Sequence, residues 1–282
     1  MRHANGDKII IKRDSDQHYV YFSVRDESDN GSIIDFVQKR RPGCRSLGNV
    51  RQALRPWLGS GSRRTASALP LFKPLQPTTK DRLEVERQFR LMAYVERHAW
   101  LEQERCLPHE VLLADRFAGR IKIDRRGNAV FPHFDRAGLC GYEIKNAGYT
   151  GFAKGGEKGL WLSRLAETDT RLVFCESAID ALSYAALFGE LDTRYASLGG
   201  QLNKKQPELI SALLETLPLG CEVVAATDND ADGLAYAETI RQLVAEANRP
   251  DLRFAVHRPD RPKDWNQALQ NQQNSFPTAQ LP

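Results

Sequence analysis

The chain has 282 residues, 41% hydrophobic and 27% charged, which excludes a disordered protein and suits two domains or three small ones. No apolar run approaches the roughly 20 residues of a membrane span and no signal-peptide core opens the chain, so a cytoplasmic protein without a membrane partner is expected. The net charge of +4 hides a gradient, with 15 Lys/Arg against 7 Asp/Glu in residues 1–80, 15 against 14 in 81–170 and 10 against 15 in 171–282, a distribution that suits a polyanion on the basic part and a divalent cation on the acidic part.

In chain order, 8–12 (KIIIK) and 19–24 (YVYFSV) alternate as a hairpin, followed by a helix after Ser32 and a second over 47–58. Residues 59–80, with Pro70, Pro74 and Pro77 among small residues, read as a linker. One long helix is expected over 81–104, where Leu83, Phe89, Leu91, Met92, Val95 and Trp100 form an apolar face. Short strands follow at 121–124, 129–134 and 139–144, separated by turns at Gly127-Asn128 and Ala137-Gly138. After Trp161 the texture becomes strand and helix in alternation. Strands at 172–175, 195–198, 223–227 and 254–257 interleave with helices at 178–188, 206–217 and 234–247, which predicts crossovers and a mainly parallel sheet flanked by helices. The reading is α/β, with modules at 1–58 (hairpin and helices), 81–164 (α+β) and 165–282.

In an open parallel sheet the working residues stand at the carboxyl ends of the strands. Here that rule selects Glu176, with Asp180 one turn into the next helix, and the run Asp228-Asn229-Asp230-Ala231-Asp232-Gly233. Carboxylates so crowded repel one another and call for a cation. Mg²⁺ suits an all-oxygen set, with Mn²⁺ as its substitute. Glu176, Asp228, Asp230 and Asp232 are the candidate ligands, and Asp180 has the plain alternative of complementing a helix N-terminus. A calcium loop would need a glutamate where Thr239 stands. The five cysteines include no CxxC pair and the six histidines no HxH or HxxxH pair, so no zinc site is expected.

Residues 175–183 (CESAIDALS), the Ser197-Leu198-Gly199-Gly200 turn and 227–233 (TDNDADG) resemble the Toprim domain shared by bacterial-type primases, topoisomerases and certain nucleases. The resemblance implies that Glu176 is the domain's glutamate, that Asp228 and Asp230 are its metal-binding aspartates, and that Lys263 and Asp264 match a Lys-Asp segment near the end of primase Toprim domains. Residues 128–135 with Gly138 and 141–143 look like the subdomain preceding Toprim in replicative primases. Tyr21-Phe22-Ser23-Val24 and 31–37 resemble the end of a primase zinc ribbon, here without its cysteines, so that Arg2, His3 and His18 are at most remnants and the N-terminus is expected to be truncated. The chain as a whole resembles primase-like Toprim proteins of plasmids and other mobile elements.

Those likenesses imply metal-dependent phosphoryl transfer on DNA, with single-stranded DNA and nucleotides as partners and plasmid replication or mobilisation proteins as further ones. Glu176 is expected to share the metal or act as general acid/base. Arg120, Lys122, Arg125, Arg126, Lys145, Lys154 and Lys158 are the expected nucleic-acid contacts, with Phe131, Phe134, Tyr142 and Trp161 either stacking bases or filling the core. Gly199, Gly200 and Gly233 shape the loops. Left open are primase-type nucleotidyl transfer, a nickase or nuclease, a non-catalytic DNA-binding accessory and a small-molecule phosphatase.

Overall fold

A computed structural model describes residues 9–13, 18–24, 26, 29–44, 46–55, 79–189, 191–259 and 263–275. Of the linker expected at 59–80 only Thr79 and Lys80 are among them, and Arg2 and His3 lie outside them. The chain divides into two units, Met1–Leu75 and Gln76–Pro282.

In the first unit β1 (Ile9–Arg13), β2 (Tyr19–Ser23) and β3 (Asn30–Ser32) form an antiparallel sheet in that order. The hairpin matches the alternation in the sequence, and β3 is an addition to it. Helix α1 (Ile33–Arg40) starts at Ser32, whose side chain accepts from the Asp35 N–H while Asp35 accepts from the Ser32 N–H at 2.7 Å. With α2 (Leu47–Leu54) it buries Val37, Cys44 and Val50.

The second unit joins two five-stranded sheets. Helix α3 (Arg82–Arg90), capped by Asp81, ends well short of the expected residue 104. Its last carbonyls are taken by the Lys122 ammonium, which donates to Phe89, Arg90 and Met92 at 3.1, 3.4 and 3.2 Å. The chain then turns into β4 (Ala93–Tyr94), and a π-helical turn at Trp100–Glu104 and α4 (His109–Leu113) follow. Strands β4, β5 (Lys122–Ile123), β6 (Ala129–Asp135), β7 (Gly138–Asn146) and β8 (Tyr149–Phe152) form an antiparallel sheet in sequence order. The glycine-rich stretch 151–159 begins in a strand and packs closely: a Cβ on Gly159 would lie 2.2 Å from the Phe134 carbonyl oxygen.

The second sheet has the order β13-β12-β10-β11-β9, built from β9 (Trp161–Leu162), β10 (Arg171–Cys175), β11 (Thr193–Ser197), β12 (Glu222–Ala225) and β13 (Arg253–Val256). All its pairings are parallel except β9 against β11. Alternate residues of β10 serve opposite faces. Val173 and Cys175 pack with α5 (Ala178–Phe188) and α8 (Trp265–Ser275), whereas Leu172 and Phe174 pack with α6 (Gln206–Glu215) and α7 (Ala231–Glu246). Reciprocal backbone hydrogen bonds between Phe134 and Leu160, 2.7 and 3.0 Å, join the two sheets. Phe131 and Trp161 are core residues and Tyr142 is 7% exposed, which leaves Phe134 as the accessible ring of the four weighed for base stacking.

Candidate functional site

The path β10 to α5 to β11 runs one way along the sheet, and β11 to α6 to β12 returns past β10. The direction therefore reverses between β10 and β12, and the crevice outside their carboxyl ends is where such sheets bind ligands. Glu176 follows β10, and Asp228 lies three residues beyond β12. The Asp228 N–H donates to Glu176 Oε1 at 3.1 Å. The glycine turn after β11 closes the arrangement, since the Gly200 N–H and Ser197 Oγ donate to the Glu176 carbonyl at 2.8 and 3.2 Å.

Each carboxyl has a distinct setting. Burial, helped by the charges of Asp230 and Asp180, pushes Glu176 up to about 7. Burial and then Asp180, Glu176, Asp264 and Asp230 push Asp228 up to about 8. Its Oδ1 is buried without a hydrogen-bond partner. Asp230 is held low, first by the Gly233 N–H that its Oδ1 accepts at 2.9 Å as the α7 cap, and then by Lys263 at 3.2 Å. Gly233 admits no side chain, since a Cβ there would lie 2.1 Å from the Asp228 carbonyl oxygen. Asp232 is exposed in the first turn of α7. Asp180, 7% exposed, accepts from Ser177 Oγ at 2.5 Å and from the Asn266 N–H at 3.2 Å, and burial raises it. It sits in the first turn of α5, as the plain helix-end reading had it, and also faces the cluster. Asp264 caps α8 by accepting from the Gln267 N–H at 2.7 Å.

Next to the cluster opens a crevice of about 510 Å³ whose walls include Asp180, Asp264, Lys145, Arg105, Trp100 and Tyr149. Lys145 reaches it from β7 and also pairs with Glu143 at 3.5 Å. Below the glycine turn, fully buried His133 lies 3.7 Å from Glu143, and the facing Nε2 and Oε2 have no hydrogen-bond partner. Burial works against the Glu143 charge, yet His133 and Lys145 bring its pKa down to about 2.

The expected basic contacts are distributed unevenly. Arg125 and Arg126 are exposed in the β5–β6 turn, and Lys154 is exposed after β8. Lys158 is half-buried and donates to the Gln201 carbonyl. Lys122, 5% exposed, has its ammonium bound to the end of α3, which corrects its reading as a nucleic-acid contact. Arg120 is half-buried and stacks on Phe134, its guanidinium 4.4 Å from the ring centre. Sequence reasoning missed Arg105, Trp100, Asn266, His133 and Glu143. The sequence gives none of them a role at the site, because each enters it through contacts with distant segments.

Among the described residues, no three or more His, Cys, Asp or Glu side chains are arranged to hold a metal ion as they stand. Two of the candidate ligands have other work here, Asp230 as helix cap and Lys263 partner, Glu176 as acceptor from Asp228. The orphaned Asp228 oxygen among raised carboxyls nonetheless fits Mg²⁺, which binds through one or two carboxylates and keeps its waters or substrate phosphates. No helix among the described residues is long and apolar enough to cross a membrane.

Residues 173–269 match the family model described as Toprim-like, and residues 99–169 match a model described as a protein of unknown function, DUF3991. The second half of the chain therefore carries a Toprim-like domain. No curated protein matches. Among solved structures, the primase fragment of the bacteriophage T7 primase-helicase is similar at 16% identity, over 91% of this chain and 88% of that one, with a TM-score of 0.46. A chain from the complex of phage T7 lagging-strand DNA polymerase with primase domains, an RNA/DNA hybrid and dTTP is similar at 18% identity over 55% and 77%, TM-score 0.40. A DNA primase domain from Pseudomonas aeruginosa is similar at 17% identity over 55% and 51%, TM-score 0.37.

Proposed function

We propose that this chain carries out Mg²⁺-dependent phosphoryl transfer on single-stranded DNA, as a primase-like nucleotidyl transferase of the cytoplasm. The observation that carries the reading is the pairing of Glu176 and Asp228 at the switch point of a Toprim-like sheet, with Asp228 left short of a partner. Phosphoryl transfer asks a protein mainly to position phosphates and neutralise charge.

Asp228 and Asp230 would hold the metal, which supplies the charge that steadies the transferring phosphate, with Asp232 beside them. Glu176, held near 7 in the metal-free protein, is suited to share that ion or to exchange a proton with the attacking or leaving hydroxyl. Lys145 and Arg105, on the crevice wall, are placed to meet nucleotide phosphates, and the exposed Arg125 and Arg126 to meet the template. We assign 81–164 and 165–282 to the primase-like and Toprim parts, and 1–58 to a cysteine-poor derivative of a zinc ribbon.

The test incubates the full chain with single-stranded DNA, labelled ribonucleotides and Mg²⁺ or Mn²⁺, and resolves the products on one gel. Short ribonucleotide products support primase chemistry. Cleaved template moves the assignment to a Toprim nickase, and neither product with tight DNA binding moves it to an accessory protein.

A further inference from the structure

Three arginines gather on the β9 edge of the parallel sheet, in an arrangement that uses none of the crevice residues. The β9–β11 register pairs Leu162 with Ala196, and the Ser163 N–H donates to the Tyr195 carbonyl at 2.9 Å, which brings Arg164 level with Arg194. The backbone of Arg120 is tied to the same edge, its carbonyl accepting from Trp161 Nε1 at 2.9 Å. Its guanidinium lies 4.4 Å from the centre of the Phe134 ring.

The Nε atoms of Arg120 and Arg194 are buried without a hydrogen-bond partner. Among the described residues, no carboxylate forms an ion pair with Arg120, Arg164 or Arg194. Asp169, whose charge reaches Arg194, is committed to Arg116 at 2.5 Å and to the Ala166 N–H at 2.9 Å. Burial depresses the Arg120 pKa, and Arg194 and Arg164 depress it further, as expected of like charges sharing one space. Arg194 and Phe134 both line a groove of about 390 Å³ against α6, with Arg136 and Leu160; its two carboxylates are Asp135, already paired with Arg82 at 2.9 Å, and the exposed Glu215. Guanidinium donors beside an aromatic ring and an open groove match the geometry of phosphate oxygens.

We propose that Arg120, Arg164 and Arg194 form a phosphate-binding site at the mouth of the α6 groove, for the phosphoryl group of a nucleotide or the backbone of a nucleic-acid strand. The site stands whether or not the acidic crevice transfers phosphoryl groups, and its test needs neither metal nor turnover.

Inorganic phosphate is titrated into the full, metal-free chain at constant ionic strength set with NaCl. Phosphate is expected to raise the melting temperature, with half-saturation at least tenfold weaker in an Arg120→Gln/Arg194→Gln variant. A second measurement needs no variant. Phenylglyoxal labelling of the wild type, read by peptide mass spectrometry, is expected to modify Arg120 and Arg194 and to be slowed several-fold there by phosphate, while exposed Arg241 is unaffected. A nucleoside triphosphate and a short single-stranded oligonucleotide are then compared as protectants. Protection mainly by the triphosphate assigns the site to free nucleotides, protection mainly by the oligonucleotide assigns it to the strand backbone, and protection by phosphate alone leaves an inorganic phosphate site. Absence of both stabilisation and protection by phosphate, or arginines that resist the reagent without phosphate, overturns the proposal.

Discussion

The backbone N–H of Asp228 donates to Glu176 Oε1 at 3.1 Å, so the two strand ends that flank the switch point are joined through one carboxylate. That bond stabilises the ionised form of Glu176, yet burial outweighs it. Asp228 itself gains no comparable partner for its buried oxygen. The pair is therefore short of positive charge when no cation is bound.

The first prediction follows directly. Asp228→Asn keeps the shape and removes a charge that crowds the cluster once Asp228 ionises, so near pH 9 the metal-free variant is expected to melt at or above the wild-type temperature, by about 2–4 °C for each kcal/mol of repulsion relieved. Mg²⁺ binding by calorimetry and activity on single-stranded DNA are expected to fall at least about 100-fold, on the scale of losing a transition-state charge partner. A variant strongly destabilised without metal would make the aspartate a structural residue.

The second concerns pH. Asp228 at about 8 and Glu176 at about 7 stand above the ordinary carboxylate value near 4, so the folded chain binds protons that the unfolded chain has already released. The stability linked to them is complete below about pH 4 and is lost as pH rises through about 7 and 8. Melts of the metal-free protein from pH 5 to pH 9 should show this decline, Asp228→Asn should flatten it, and saturating Mg²⁺ should oppose it. A wild-type profile as flat as that of the variant would mean that solvent already screens the cluster.

Much of this site was legible because strand ends and acidic loops are local patterns. Glu176 after an apolar run, the acidic run 228–232 and the Gly199-Gly200 turn sit where the alternation of strands and helices put them. Lys122 was misread because a basic side chain in a short strand gives no sign that its ammonium will close a helix that ends 32 residues earlier. For the same reason the helix expected to reach residue 104 stops at Arg90. Helix α8 was missed because its Asn/Gln-rich stretch is nearly featureless, yet it delivers Asn266, whose N–H and side-chain amide reach Asp180 and Ser183 at 3.2 and 3.0 Å.

The third prediction tests the contact between the glycine turn and the antiparallel sheet. Gly199 has φ +67°, and a Cβ there would lie 2.6 Å from the His133 ring. Gly199→Ala is expected to cost about 1–3 kcal/mol, the range for a residue forced into a strained backbone region. Activity should fall more than stability, because the next residue, Gly200, holds the Glu176 carbonyl. Adding His133→Ala should recover part of the loss in a double-mutant cycle, through the steric component alone.

The fourth concerns Lys263, whose exposed ammonium pairs with Asp230 at 3.2 Å. Such a surface pair contributes about 0–1 kcal/mol. Lys263→Gln should therefore leave the melting temperature nearly unchanged while tightening Mg²⁺ binding a few-fold, since Asp230 is then free of a competing cation. Weaker Mg²⁺ binding in the variant would place the lysine among the groups that organise the metal-bound state.

The last prediction separates the template surface from the metal site. Arg125 and Arg126 are exposed at the tip of the β5–β6 turn, outside the acidic cluster. Each phosphate they neutralise releases counterions, so the log of the affinity for single-stranded DNA should fall linearly with log salt, with a slope of about −0.7 per contact. Arg125→Ala/Arg126→Ala should reduce the magnitude of that slope by about 1.4 if both arginines touch phosphates, and weaken binding of all sequences alike. Mg²⁺ affinity should not change, because the substitution removes no carboxylate and alters no cap of the acidic loops. An unaltered slope and affinity would move the template away from this turn, and the remaining exposed candidate, Lys154 after β8, would be substituted next. Absence of any single-strand binding by the intact chain at low salt would remove DNA from the proposed function altogether.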